Sequence, residues 1–389
     1  MFFNANCAII DAENAEKLAF IEKLRQPFAV FSYMFQPKFS ITNPILKYIG
    51  AIEGAKEVVD YAVMVPAWEV KFQDEAKVRT VHFGTRIEGN ELNYSQAERV
   101  MAGEEVLARE RDIQEVINYR NVVEYIDKLG ERYNVEGPGG RAVYSESWLK
   151  KIHELTTEKI LDKGNKGEYR QTRVVIKNSQ SGEVSFRPPL PLEIKMQIEE
   201  FFDWLNSDKG RDVHPILRAG ITHYELARIH PFVDGNGRVA RAFALLVLYR
   251  EGYDVKRFFS IEEYFDKNAE DYYSALQSVA KKNGDLTPWL EFFTKALAVE
   301  LNKIKERVRS LSIDFRWRDR LGRQIALSER QIKLIEFISE KEKLIVRDAR
   351  EVMPDVSDDT ILRDIKDLMK KGVVKKRGST KNAYYVMKK

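Results

Sequence analysis

The sequence predicts a mainly α protein that carries one β-hairpin and ends in a small α+β unit. Three observations lead there. Apolar residues recur every three or four positions along most of the chain. A β-branched run, a polar turn with Gly182 and a second alternating run read as a hairpin over residues 172–186. Residues 323–389 read as helix, short helix, helix, strand, turn, strand. At 389 residues the chain is long enough for two or three packed units.

In chain order, residues 1–115 read as an N-terminal helical region. Within it EVKFQDEAKVRTVHFGTRIEGNEL (69–92) contains a helix predicted to stop at Glu88, because Gly89 and Asn90 are good C-terminal residues. Periodicity continues through 95–129, with both charge signs on the polar face, until GPGG at 137–140 breaks it. A core is predicted over 116–305. It opens with a helix at 145–161, continues with the hairpin, which RPPLP stops, and resumes with helices at 192–206 and 214–229. The next helix runs into AFALLVLY (242–249), and others follow at 270–282 and 287–311. Arginine-rich IDFRWRDRLGR marks a linker at 306–322, and the order of elements in 323–389 is that of a winged helix.

Lys plus Arg number 64 against 60 for Asp plus Glu, so the net charge of +4 gives no argument for nucleic acid. The single cysteine, Cys7, rules out an intramolecular disulfide framework and fits a reducing compartment. The first residues lack a basic n-region, and no apolar run approaches the roughly 20 residues that span a bilayer. A cytoplasmic protein with no membrane partner is the expectation.

HPFVDGNGRVAR, residues 230–241, concentrates the chemistry. Gly235-Asn236-Gly237 stands where a loop becomes a helix, so successive N–H groups can converge on an anion. Arg238 and Arg241 share one face beside it. Arginines there oppose the positive end of the helix dipole, which implies a negative partner. Asp234 offers the hard oxygen that Mg²⁺ prefers when it also holds phosphate. His230 is the group whose ordinary pKa suits a general base. Gly235 to Ala240 also satisfies the loose G-x-G-x-x-A pattern, but a helix precedes it where a dinucleotide fold needs a strand. The sequence has no P-loop. His82, His153, His214 and His223 read as packed histidines, since no cysteine or acidic cluster completes a zinc site.

The stretch matches at every specified position the signature of Fic-domain proteins, His-Pro-Phe-x-Asp/Glu-Gly-Asn-Gly-Arg-x-x-Arg. GEYRQTRVVI with RPPLP, HPILRAGITHYELARIHPF and GDLTPWLEFF resemble the family too, over about Phe35 to Phe293. The resemblance implies a Fic-type helical core that transfers AMP from ATP to a Tyr, Thr or Ser hydroxyl of a protein. It casts His230 as the base and Asp234 as the Mg²⁺ ligand. Asn236 and the loop N–H groups of Gly235 and Gly237 would bind phosphates, with Arg238 beside them and Arg241 at the γ-phosphate. The hairpin resembles the family's flap, with Ile176 and Lys177 near the nucleotide, and Tyr272 resembles an aromatic beside the adenosine.

GTRIEGNEL resembles the family's inhibitory motif, Ser/Thr-x-x-x-Glu-Gly/Asn, whose glutamate, here Glu88, pairs with the second signature arginine, Arg241. The position four before Glu88 is Gly84, with Thr85 one later, a departure from the motif. For the C-terminal unit, the acidic start of its third helix (Ser357-Asp358-Asp359) disfavours DNA, so protein interaction or a homodimer is the better expectation. The alternatives left open are a DNA-binding regulator or sensor and a Fic-type enzyme that uses another nucleotide or removes AMP.

Overall fold

The computed structural model describes residues 35–62, 64, 66–131, 143–177, 184–311, 328–351, 353, 354, 356–379 and 383–388. Cys7, GPGG, the hairpin turn and the IDFRWRDRLGR linker lie outside the described residues. The first helix, α1 (Asn43–Asp60), begins where Thr42 Oγ1 accepts the Ile45 N–H and Pro44 sits in the first turn. It lies along α12 (Thr287–Leu311), and Thr42 Oγ1 donates to Glu291 Oε1 at 2.7 Å.

Between them run α2 (Pro66–Arg86), α3 (Tyr94–Met101), α4 (Glu110–Glu131) and α5 (Glu146–Thr156). Strands β1 (Ile176–Lys177) and β2 (Val184–Phe186) pair antiparallel, with Ile176 opposite Phe186. Then come α6 (Pro191–Asn206), the short α7 (Asp208–Arg211), α8 (Pro215–Ile229), α9 (Asn236–Arg250), α10 (Ile261–Lys267) and α11 (Ala269–Lys281). The expected helices at 192–206, 214–229, 270–282 and 287–311 therefore form almost as written in the sequence, and so does the hairpin.

Helix α9 is the centre of the core. From Arg238 to Tyr249 every residue is buried, and the helix packs on α8, α4 and α5. That all-round burial is why AFALLVLY carries no polar face. Trp289, fully buried in α12, donates its indole N–H to Gly220 O of α8 at 2.7 Å. A second, separate core of Leu334, Ile338, Ile361, Ile365, Leu368 and Val374 builds the C-terminal unit. It comprises α13 (Glu329–Lys341), a 3₁₀ turn (Asp348–Glu351), α14 (Asp358–Lys370) and the antiparallel strands β3 (Val374–Arg377) and β4 (Tyr384–Met387). At the start of α14, Asp358 is held bidentately by Arg350 at 2.9 Å.

The structure departs from the sequence expectation in three places. The periodic run 95–129 is interrupted after Met101, where Gly103 takes φ +82° and the Glu104 N–H turns back to Arg99 O. The helix expected over 145–161 ends at Thr156. Thr156 and Thr157 hydroxyls donate to Ile152 O and His153 O, Asn118 Nδ2 donates to Thr156 O and Glu158 O, and Lys159 takes φ +58°, which breaks the helical path. Finally, residues 306–311, which the linker reading and the helix reading both claimed, are helical, since α12 runs to Leu311.

Helices α2 and α4 meet where Gly84 faces Tyr119, and a Cβ at 84 would collide with the buried Tyr119 ring. The glycine is thus a packing requirement, which explains the missing Ser or Thr of the motif. Gly84→Ala is expected to lower unfolding free energy by about 1–3 kcal/mol, as an overpacked contact does. Urea denaturation with an unchanged midpoint would contradict that close approach.

Candidate active site

The loop between α8 and α9 is bound by its own backbone. Helix α8 ends at His230, which takes a left-handed conformation (φ 50°) while its N–H bonds to Leu226 O. Phe232 is fully buried and stacks on the His153 ring at 3.8 Å. Asn236 clasps that residue from the far side of the turn: its Oδ1 accepts the Phe232 N–H and its Nδ2 donates to Phe232 O, both at 2.9 Å. Gly235 opens α9 with φ +77°, and a Cβ there would press on the Thr156 and Thr157 methyls. The first ladder bond of α9 runs from Val239 N to Gly235 O, so the Gly237 and Arg238 amides point out of the helix start.

His230 Nδ1 lies 3.3 Å from Ala227 O, an acceptor, so it must donate; Nε2 is left with its lone pair. Burial lowers the His230 pKa, and the Ala227 carbonyl opposes that shift without cancelling it. The imidazole is therefore neutral and in the tautomer of a base. His153 has the opposite tautomer. Its Nδ1 accepts the Gly167 N–H at 2.9 Å, and its Nε2 donates to Asp234 O at 3.1 Å. Burial pushes its pKa down to about 4.

Two fully buried arginines flank the helix start. Arg241 Nη2 bonds Glu88 Oε1 at 2.8 Å and Gly84 O at 2.9 Å. Burial works against its charge, and the Glu88 carboxylate outweighs that only together with Tyr272, Tyr119 and Tyr273. The same carboxylate covers Gly237, where any Cβ would strike Glu88 Oε1. An anion therefore sits on the amide end of α9, as the sequence implied. Close by, Tyr119 Oη donates to Glu262 Oε1 at 3.5 Å, and burial raises that carboxyl to about 7. Arg238 Nη1 stands 3.5 Å from Glu115 Oε1, and its Nη2 stands 3.8 Å from Asp234 Oδ1. Asp234 Oδ2 accepts Arg111 Nη2 at 3.0 Å.

Asn236 bonds Phe232 through both polar groups of its amide, so in this structure that side chain shapes the loop. Tyr272 is 2% exposed, its hydroxyl on His223 Nε2 at 3.0 Å, among Phe265, Trp289 and Phe292. It is a core ring, because α11 turns that face inward. The next residue, Tyr273, is 43% exposed and reaches Ile87 O at 3.4 Å, beside Glu88. Ile176 and Lys177 lie in β1 as expected.

Sequence reasoning missed Arg170, Arg111 and Glu115 and read His153 as a plain core residue. Arg170 is 2% exposed and gathers His230 O, Thr172 O and Pro189 O at 2.7–2.9 Å, joining the base to both ends of the hairpin. Its place just before the β-branched run was the available signal. Arg111 and Glu115 gave none, because they sit on a helix distant in sequence.

Residues 143–248 match the profile of the Fic/DOC family. The chain carries a Fic/DOC-family domain. It is similar to the protein adenylyltransferase Fic of Drosophila grimshawi, at 30% identity over 46% of this chain and 34% of that protein. The Nematostella vectensis protein of the same name is 34% identical over 33% of this chain and 27% of its own length. The chain thus spans about a third of these relatives. A Fic family protein from Desulfovibrio desulfuricans G20 superposes with TM-score 0.62 at 23% identity, covering 91% of this chain and 98% of that one. Fic-1 of C. elegans gives 0.53 at 20% identity, over 77% and 76%. These two establish the fold of the Fic/DOC domain and its surroundings. Among the described residues no helix is long and apolar enough to cross a membrane.

The neutral His153 predicts a pH dependence. Its folded pKa of about 4 lies below the ordinary 6.5, so the unfolded chain binds the extra proton between those values. Stability is complete above pH 6.5 and falls as pH drops toward 4, by up to about 3 kcal/mol from this group. His153→Gln, which keeps an N–H donor without titrating, is expected to flatten that limb of a urea-midpoint profile. An equally steep limb would refute the assignment.

Proposed function

We propose that this protein is a protein adenylyltransferase whose resting site is closed by Glu88. The observation that carries the reading is the carboxylate seated on Gly237 and Arg241, in the place a terminal phosphate needs. In the reaction, Nε2 of His230 takes the proton of a Tyr, Thr or Ser hydroxyl on the target protein. The hydroxyl oxygen bonds to the α-phosphorus of ATP, and the bond from that phosphorus to the bridging oxygen breaks. Pyrophosphate leaves, and AMP remains on the target. Such transfer needs positioning and charge neutralisation more than covalent help. The amides of Gly237 and Arg238 and the two guanidiniums supply it here.

The residues also fit a Mg²⁺ ion. Asp234 offers a carboxylate that is 38% exposed, and among the described residues no group of three or more His, Cys, Asp or Glu forms a cage. One accessible carboxylate beside phosphates is the set Mg²⁺ takes, with water and substrate oxygens completing it. Asp234 would hold the ion, which supplies charge neutralisation on the phosphates. The hairpin, tied at both ends to Arg170, would present an edge for an extended segment of the target.

Glu88→Gly is expected to raise labelling by α-³²P ATP about tenfold or more, the scale of a lost charge-assisted bond. His230→Ala in that background should abolish it. Intact mass after competition among ATP, UTP, GTP and CTP reads the nucleotide. Labelling unaffected by either change would end this reading.

A further inference from the structure

Both carboxylate oxygens of Asp234 already have donors. Oδ1 accepts the Gly235 N–H at 2.6 Å, and Oδ2 accepts Arg111 Nη2 at 3.0 Å. Arg111 belongs to α4, outside the 230–241 stretch, and its guanidinium is aimed. Its Nε donates to Glu115 Oε1 at 3.1 Å. Glu115 is buried, and its other oxygen accepts Asn90 Nδ2 at 3.0 Å. Asn90 Nδ2 also donates to Asp112 O, which fixes the turn just after Glu88 to the same helix.

We infer that Arg111 is the built-in cation of the resting site, holding the Asp234 carboxylate where a divalent ion would otherwise bind. The inference rests on the adenylyl-transfer reading, in which Asp234 carries the metal. A guanidinium and a divalent ion drawn to the same carboxylate repel each other at that range, so the two compete. The competitor is weak by construction. Arg111 is 61% exposed and Asp234 38%, and ion pairs at such exposure are screened by water and salt. Arg111 thus sets how much the metal contributes to nucleotide binding without blocking it. It is a positioning residue that mirrors Glu88: Glu88 faces Arg241, and Arg111 faces Asp234 Oδ2 while buried Arg238 stands 3.8 Å from Oδ1.

The test is equilibrium dialysis of radiolabelled β,γ-imido-ATP against the full chain in the Glu88→Gly background, with Mn²⁺ and again in EDTA. The quantity read is the ratio of the two affinities. Arg111→Ala and Arg111→Gln are each expected to raise that ratio about two- to fivefold, the scale of an exposed ion pair. Asp234→Ala should bring it close to one. A ratio at or below the parent's in both Arg111 variants overturns the inference; if their metal-free affinity also drops, Arg111 is a phosphate ligand instead. A ratio that survives Asp234→Ala brings down the underlying metal reading and not the Arg111 competition alone. Both Arg111 variants remove an exposed side chain, so matched thermal melts are expected.

Discussion

A helix end buried in the middle of the protein, bearing two arginines on its positive pole, is the constraint around which the molecule is arranged. Arg238 and Arg241 are each 2% exposed, at the start of a helix whose outward amides add to their charge. Unpaired charge at that depth is costly, so carboxylates must come from the neighbours. They arrive from separate places: Glu88 after α2, Glu115 from α4, Asp234 from the loop and Glu262 from α10. The packing of α2 and α4 around α9 therefore delivers anions as well as apolar surface.

The loop over this helix end is held with equal economy. Asn236 binds Phe232 through both polar groups, His153 binds the Asp234 carbonyl, and Arg170 binds the His230 carbonyl. All are buried, and all are directed at main-chain atoms. Bonds of this kind fix the loop backbone, and with it the helix-end amides, in advance of any ligand. The His230 tautomer belongs to the same frame, since the carbonyl of Ala227 decides which ring nitrogen keeps the proton.

In this state the site is neutralised by its own side chains. Glu88 lies on the amide end over buried Arg241, and Arg111 lies on the loop carboxylate; both side chains are partly exposed. Exposed groups held by one or two bonds can be displaced; the buried arginines cannot move far. The geometry thus separates parts that stay from parts that yield, which suits the proposed exchange of internal ions for those of a nucleotide.

Much of this was legible beforehand. Periodicity placed the helices at 192–206, 214–229, 270–282 and 287–311 but not α7 or α10, β-branching placed the paired strands, and HPFVDGNGRVAR placed histidine, carboxylate, glycines and arginines in one short stretch. Those are local matters, decided by residues within a few positions of one another. The burial of Tyr272 was not legible, because which ring of a Tyr-Tyr pair faces inward is set by α11 against α12 and not by composition. Arg111 and Glu115 were illegible for the same reason. An ion pair between residues 123 positions apart leaves no pattern in the chain. Sequence alone determined the chemistry that gathers at residues 230–241; only the tertiary structure decided which distant charges would answer it, because burial is a property of the packed whole.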